Sequence, residues 1–271
     1  MSEIFLAGFF QRALLAGVVL SILCGVLSVF VILRRMAFIG VGISHSAFGG
    51  VTLGFLLGID PLFTGIGFSA LVALLIEWAR NRGRVEEDAA IGIFFAASMA
   101  LGVVFLSLSR TYNVDVFGFL FGNILAIGDR QVWQILAVAA GVLAMVAAFF
   151  KELVFLSFDE EMAWVSGVPV LTLRCLFLVL MALVIIVSIY LVGIILVSAL
   201  LVIPGAIARN LTQHIRGMLG VAVASALAAT VGGLLLSYVL DWPSEATVVL
   251  LLAVCFFLST IPGRRLLPSA R

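Results

Sequence analysis

Long hydrophobic runs separated by short charged segments dominate the sequence. The runs are roughly 18 to 25 residues long, and about 20 residues are needed for an α-helix to cross the hydrocarbon core of a bilayer. This pattern predicts an all-α fold, a polytopic helical bundle that is embedded in membrane lipid and moves a solute across it.

We predict about nine membrane-spanning helices. They cover Ala13–Leu33, Ala37–Leu57, Leu62–Ile76, Ala89–Leu108, Val132–Phe150, Leu171–Tyr190, Gly193–Ala208, Met218–Leu240 and Ala246–Ile261. A further apolar stretch, Val116–Ile127, is short for a crossing, so we expect it to form a re-entrant or broken helix. A full crossing there would raise the number of spans to ten.

The cationic residues indicate the orientation of the chain, because Lys and Arg are retained on the cytoplasmic side during insertion. With the amino terminus outside and the carboxyl terminus inside, the outer side has only Arg12, Arg110 and Arg130 of the 15 Lys and Arg residues. The other cations then lie on the cytoplasmic side. A tenth crossing would spoil this distribution.

The composition indicates one membrane domain over residues 1–271. Hydrophobic residues make up 64% of the chain and charged residues 11%, and a soluble fold of this length cannot bury that much apolar surface. The net charge of +1 gives no indication of a nucleic acid partner.

Cys24, Cys175 and Cys255 each lie alone in an apolar run, so we interpret them as core residues. The first apolar segment is too long for a signal peptide and is interpreted as a retained helix.

No enzymatic chemistry is evident in the sequence. It contains no GxxxxGK[ST] phosphate-binding loop, so we expect this chain to bind no cofactor and any ATP and Mg²⁺ to be bound by a separate subunit. A membrane enzyme would need a nucleophile with a base or a metal cluster. The two histidines are His45 and His214, and we expect His214 to be solvated in a cytoplasmic loop.

His45 is the exceptional ionisable residue in the predicted spans. It follows Arg35 by ten residues, about 15 Å along a helix, which places it near the middle of a hydrocarbon core about 30 Å thick. Because neutral imidazole is the commonest ligand of divalent transition metals, His45 is a candidate for a transient metal or proton site on a translocation route. The alternative is a hydrogen bond that holds His45 to a neighbouring helix. Nearby glycines predict a thin helix that backbones or a ligand can approach, namely Gly40, Gly42, Gly49, Gly50 and Gly54.

Four milder polar residues complete the predicted translocation pathway. Ser44 and Ser46 flank His45, Asn123 lies in the short outer segment, and Ser198 follows the turn between the sixth and seventh spans. Asn123 either faces a vestibule or caps a break in the helix. The Pro204–Gly205 pair interrupts the seventh span and predicts either a hinge at the cytoplasmic mouth or a helix stop before Arg209.

A short cytoplasmic helix, Asp159–Val165, is predicted within residues 157–169. Ser157 and Glu160 have the spacing of a capping box, acidic residues occupy the first turn, and Gly167 followed by Pro169 supplies a stop. A helix lying on lipid headgroups is the alternative to a protein partner. We favour a protein partner because these acids would be repelled by an anionic inner leaflet.

Four sequence blocks resemble the permease subunits of ATP-binding-cassette (ABC) importers for zinc, manganese and iron. They are LRRMAFIGVGISHSAFGGVTLG, DVFGFLFGNILAI, FDEEMAWVSGV and LVGIILVSALLVIPGAIAR, in the order found in the family, and they cover about Leu33–Arg209. The resemblance implies a homodimeric channel in the prokaryotic plasma membrane, two cytoplasmic ATPase subunits and an extracytoplasmic metal-binding solute protein. It also implies that the predicted short helix is a coupling helix seated in the ATPase. The residues that we assign to this coupling are Asp159, Glu160, Glu161, Ala163 and Gly167.

The sequence departs from the family's pattern at two carboxylates. Val41 replaces the aspartate of the family's GDxxxHA motif, four residues before His45, and Asn123 replaces the aspartate of the LFGD found in many members. A cation would therefore meet imidazole, hydroxyls and carbonyls, which form a weaker and less charged site.

We therefore expect the membrane-spanning subunit of an ABC importer for a divalent transition metal, with zinc and manganese ahead of iron. Two alternatives remain. A related permease for a metal chelate or a small organic solute would account for the missing carboxylates. An ATP-independent secondary transporter usually buries an acid for ion coupling, and we find none in the predicted spans.

Overall fold

The structure, a computed structural model, describes residues 8–83, 86–109 and 127–263, and within them the chain forms ten α-helices and no β-strand. We number the helices in chain order: α1 Gly8–Leu33, α2 Ile39–Leu57, α3 Pro61–Gly83, α4 Glu87–Leu108, α5 Asp129–Ala148, α6 Phe150–Phe158, α7 Glu160–Val165, α8 Val170–Leu211, α9 Ile215–Leu240 and α10 Ser244–Gly263. Eight of these are long and apolar enough to cross a membrane. The exceptions are α6 and α7.

Helix α8 is 42 residues long but is broken at Gly193. Gly193 has φ 79° and ψ 168°, a backbone conformation that is open almost only to glycine. The break divides α8 into a first arm, residues 170–192, and a second arm, residues 194–211.

The two arms of α8 run in opposite directions. The end of the first arm, at Tyr190, borders a small cavity with Leu62 at the start of α3. In the second arm, Gly205 packs against Ser28 near the end of α1. Helices α1 and α3 both run from the outer side to the cytoplasmic side. The first arm therefore ends on the outer side, near the start of α3, and the second arm returns to the cytoplasmic side, near the end of α1. The described residues therefore contain nine crossings, as the hydrophobic runs predicted.

The ends of the helices agree with the predicted orientation. Arg12 at the start of α1 pairs with Asp129 at the start of α5, with 3.0 Å between Nη1 and Oδ1. At the opposite end of the bundle, Arg34, Arg80 and Arg174 line one cavity of about 360 Å³. The predicted re-entrant stretch, residues 116–127, lies outside the described residues apart from its last residue.

Close helix packing in the core depends on the glycines of α2. A Cβ added at Gly50 would lie 2.8 Å from the Cα of Gly65 on α3, and one at Gly42 would collide with Ile91 on α4. A Cβ at Gly49 would lie 2.8 Å from the carbonyl oxygen of Ser98, also on α4. Neighbouring backbones therefore approach α2 as its glycines predicted.

Other sequence interpretations need correction. The backbone stays helical through Pro204, and α8 ends only at Leu211, so the predicted helix stop before Arg209 is wrong. A hinge at the Pro-Gly pair stays a prediction. The break lies at Gly193, where the predicted sixth and seventh spans meet, and it arises from the positive φ of this glycine. Cys24 is buried as expected, whereas Cys175 and Cys255 are partly exposed on the bundle.

Candidate translocation and coupling sites

His45 lies on the second turn of α2 and is partly exposed. Its Nδ1 is 2.9 Å from the carbonyl oxygen of Val41, one turn earlier in the same helix. Because a carbonyl only accepts, Nδ1 must donate the proton, and the lone pair of the neutral ring is then on Nε2. The ring also packs edge to face on Phe95 of α4, with 4.9 Å between ring centroids. This tautomer leaves Nε2 competent to bind a metal.

Val41 shares a helix face with His45, and both side chains are partly exposed while Gly42, Ile43 and Ser44 between them are buried. The residue that replaces the family's aspartate therefore lies beside the imidazole. In the described part of the chain, no group of three or more His, Cys, Asp and Glu residues is arranged to hold a metal ion. His45 is thus a single candidate ligand rather than part of a preformed acidic site.

The predicted serines differ in their hydrogen bonding. Ser46 donates to the carbonyl oxygen of Gly42 at 2.8 Å and is satisfied within α2. In the described part of the chain, the hydroxyl oxygens of Ser44 and Ser198 are buried without a hydrogen-bond partner. An unpaired buried hydroxyl costs about 1–3 kcal/mol, so these two groups are suited to a polar cargo. Asn123 lies outside the described residues.

The short cytoplasmic helix is present as α7, but its cap differs from the prediction. Asp159 is the N-cap, and its Oδ1 accepts a hydrogen bond from the backbone N–H of Met162 at 2.9 Å. Ser157 instead donates to the carbonyl oxygen of Leu153 at 2.6 Å, within α6, so the capping box predicted for Ser157 is wrong. The stop is where we predicted it, since Gly167 has φ 82°.

One side of α7 rests on the protein and the other is exposed. Ala163 is fully buried against Leu156 of α6 and Leu173 of α8, and this apolar contact packs α7 against the bundle. The exposed apolar residues of α7, with the last residue of α6, form what we call the α7 apolar surface, which consists of Phe158, Met162, Trp164 and Val165. An exposed apolar patch of this kind is typical of a protein contact.

The acids of α7 differ in their contacts. Asp159, Glu160 and Glu161 are all exposed, but the Glu160 carboxylate also accepts two hydrogen bonds of 2.7 Å from Nη1 of Arg174. Partial burial alone would raise the pKa of Glu160. The hydrogen bond and charge of Arg174, with Arg80 adding to them, outweigh burial and hold this pKa below its ordinary value.

The structure reveals a buried ion pair that the sequence analysis missed. Glu77 on α3 and Arg174 on α8 are 3% and 4% exposed, and Nε of Arg174 is 3.1 Å from Oε1 of Glu77. The prediction that the spans contain no acid is therefore wrong, because α3 continues past Ile76 to Gly83. A detectable signal was the spacing of Glu77 and Arg80, which is typical of a helical ion pair.

Comparisons with known proteins agree over nearly the whole chain. The manganese transport system membrane protein MntC of Halalkalibacterium halodurans is 36% identical over 259 residues, which cover 94% of this chain and 89% of MntC. The high-affinity zinc uptake system membrane protein ZnuB of Haemophilus influenzae is 34% identical over 94% of this chain and 97% of ZnuB. A chain in the structure of PsaBC from Streptococcus pneumoniae in complex with Fab is 33% identical and superposes with a TM-score of 0.86 over 98% of both chains. The family model described as the ABC 3 transport family matches residues 7–263. The protein therefore belongs to the ABC 3 transport family.

Proposed function

We propose that this chain is the membrane-spanning subunit of an ABC importer that carries a divalent transition metal, zinc or manganese ahead of iron, across the prokaryotic plasma membrane. The observation that carries the proposal is the near full-length similarity to membrane proteins named for manganese transport and zinc uptake. The high TM-score against the PsaBC chain supports the same assignment at the level of the fold.

The energy for transport comes from a separate ATPase in this proposal. The sequence has no phosphate-binding loop, and the α7 apolar surface is available at the cytoplasmic end of the bundle. We propose that α7 is the coupling helix and that this surface, with Asp159 and Glu161 at its edge, contacts the ATPase. Two copies of the chain with two ATPase subunits and an extracytoplasmic metal-binding protein complete the proposed importer.

The cargo route in this proposal passes His45 on α2. Nε2 of His45 supplies a nitrogen ligand suited to zinc and other divalent transition metals. The hydroxyls of Ser44 and Ser198 supply oxygen contacts, and we retain Ser46 and Asn123 as pathway residues. Alternating access, driven by closure of the ATPase subunits, opens this route to each side in turn.

A metal chelate is the second candidate cargo, and a specific observation favours it. Val41 occupies the position beside His45 where a carboxylate would neutralise a bare cation. A less charged route fits a metal that brings its own ligands. A secondary transporter has less support, because the buried acid Glu77 is paired with Arg174 and offers no free carboxylate for ion coupling.

Transport by the full complex in vesicles tests the proposal. The permease, its ATPase and its solute-binding protein are reconstituted, and uptake of zinc, manganese, iron and a chelated metal is compared with and without ATP. We expect ATP-dependent uptake of zinc or manganese, and we expect Val41→Asp to favour the free ion over the chelate. ATP-dependent uptake of the chelate alone supports the second candidate. Uptake by the permease without its ATPase contradicts the proposed mechanism.

A further inference from the structure

Four charged side chains meet where α7 joins the membrane bundle. Arg174 on α8 binds both oxygens of Glu160 through Nη1 at 2.7 Å and contacts Glu77 on α3 through Nε. Arg80 on α3 places Nη2 3.3 Å from Oε1 of Glu77 and 3.4 Å from Oε1 of Glu160. We call these residues, Glu77, Arg80, Glu160 and Arg174, the four-residue ion cluster.

Burial within the ion cluster increases from α7 toward the bundle. The side chain of Glu160 is 46% exposed and that of Arg80 25%, whereas Glu77 and Arg174 are almost completely buried. Two carboxylates and two guanidinium groups balance in charge, as a buried cluster requires. Well-packed apolar residues in place of a buried ion pair often leave a fold equally stable. We therefore explain this cluster by the helix geometry that it specifies rather than by a contribution to the stability of the fold.

The planar guanidinium of Arg174 gives that geometry. One edge faces the acid of α3 and another faces the acid of α7, so a single side chain links the two helices. Lysine, with one ammonium on a flexible stem, does not reproduce this fork. The apolar contact of Ala163 holds α7 against the protein, whereas the cluster sets its position relative to α3.

From α3 the packing continues to the candidate cargo site. Gly65 of α3 lies against Gly50 of α2, and α2 carries His45. The first arm of α8 also packs on this region, since Ile186 is 3.5 Å from the position of a Cβ at Gly65. Contiguous packed elements therefore connect the ion cluster with α2.

We propose that Glu160 is a positioning residue that acts through Arg174 to tie α7 to Glu77, so that movement imposed on α7 by the ATPase is transmitted to α3 and α8. The proposal rests on the proposed function. It assigns Glu160 to a contact with Arg174 inside the permease, and it assigns the exposed Glu161 to the partner.

The test uses the reconstituted complex and separates binding from coupling. Glu160→Gln removes the charge but keeps an amide of the same shape, and Glu152→Gln on α6 is the matched control. We measure the affinity of the ATPase for the permease, basal ATP hydrolysis, and metal uptake per ATP hydrolysed. For Glu160→Gln we expect affinity and basal hydrolysis within about twofold of wild type and uptake per ATP reduced about tenfold. The control is expected to match wild type in all three.

A mutant cycle with Arg174→Lys tests whether Glu160 acts through Arg174. If it does, the double variant Glu160→Gln with Arg174→Lys loses no more uptake per ATP than the worse single variant. Equal uptake per ATP in Glu160→Gln and wild type overturns the proposal, as does strict additivity in the cycle. Loss of ATPase affinity in Glu160→Gln also overturns it, because the residue would then belong to the interface. Failure of the wild-type chain to bind an ATPase or to transport with ATP instead rejects the proposed function.

Discussion

Gly205 in the second arm of α8 lies directly against the backbone carbonyl of Ser28 on α1. A Cβ at Gly205 would collide with the carbonyl oxygen and carbon of Ser28. Backbone atoms cannot rotate away as the tip of a flexible side chain can. This contact brings the two helices together where a Pro-Gly pair predicted a break.

We expect Gly205→Ala to destabilise the protein by about 1–3 kcal/mol, the usual range for overpacking. The measurement is the midpoint of thermal unfolding in detergent. Gly220→Ala on α9 is the matched control, because no atom lies within 4 Å of its Cβ position. We expect that control to leave stability unchanged or to raise it by up to about 1 kcal/mol, through helix propensity. Equal midpoints for Gly205→Ala and wild type would contradict the close contact.

The break in α8 depends on a single glycine. Gly193→Ala should cost about 1–3 kcal/mol, because its φ and ψ lie in a region that alanine adopts only under strain. Thermal unfolding in detergent measures the effect, with Gly141→Ala on α5 as the control, since Gly141 has open space around its Cβ position. A stabilised Gly193→Ala protein would show that the two arms can join as one helix.

The candidate ligand is tested by comparing the two histidines. His45→Ala should reduce ATP-dependent metal uptake about tenfold or more, since it removes the nitrogen that we propose as a metal ligand. His214→Ala, at the exposed amino-terminal cap of α9, should leave uptake unchanged. Immunoblots of the membrane fraction establish equal insertion. Normal uptake in His45→Ala at normal insertion excludes a pathway role for this residue.

Two equally exposed tryptophans test the ATPase contact. Trp164 on the α7 apolar surface is 72% exposed, and Trp133 at the outer end of α5 is 71% exposed. Trp164→Ser should weaken ATPase binding about tenfold or more, since aromatic anchors dominate interface energies. Trp133→Ser should not change it. Co-purification at graded ATPase concentrations measures the affinity, and equal losses in both variants would place the ATPase contact elsewhere.

The lowered pKa of Glu160 predicts how α7 responds to acid. Because the folded protein lowers this pKa, the pair with Arg174 contributes fully above the ordinary pKa of glutamate and is lost as the pH falls through the lowered value. We therefore expect the mobility of α7 to stay constant from about pH 8 to about pH 5 and to rise only below about pH 4.

A spin label on Ser166→Cys measures this mobility, in a background with Cys175 and Cys255 replaced by alanine. The Glu160→Gln variant should show high mobility already at neutral pH and little change on acidification. A rise in the unsubstituted protein between about pH 7 and pH 5 would contradict the prediction, because it would mean that the pKa of Glu160 is raised above the ordinary value of glutamate.

Much of the fold could be predicted because lipid imposes a strong constraint on sequence. Spans must be apolar and about 20 residues long, and cations are retained inside, so the crossings and their orientation follow from local composition. The α7 helix was also predictable, since its acids and the glycine at its end are local signals. Its cap was misassigned, because whether Ser157 or Asp159 begins the helix depends on how far α6 continues.

The sequence by itself determined a membrane bundle of nine crossings, the position of His45 within α2, and a short helix on the cytoplasmic side. Only the tertiary structure decided that Glu160 pairs with Arg174, that Glu77 is a buried acid, and that the second arm of α8 stays helical through Pro204. Hydrophobic length and charge act within one segment and can be read along the chain. Ion pairing and backbone contact depend on which residues distant segments bring together, and that is set by packing.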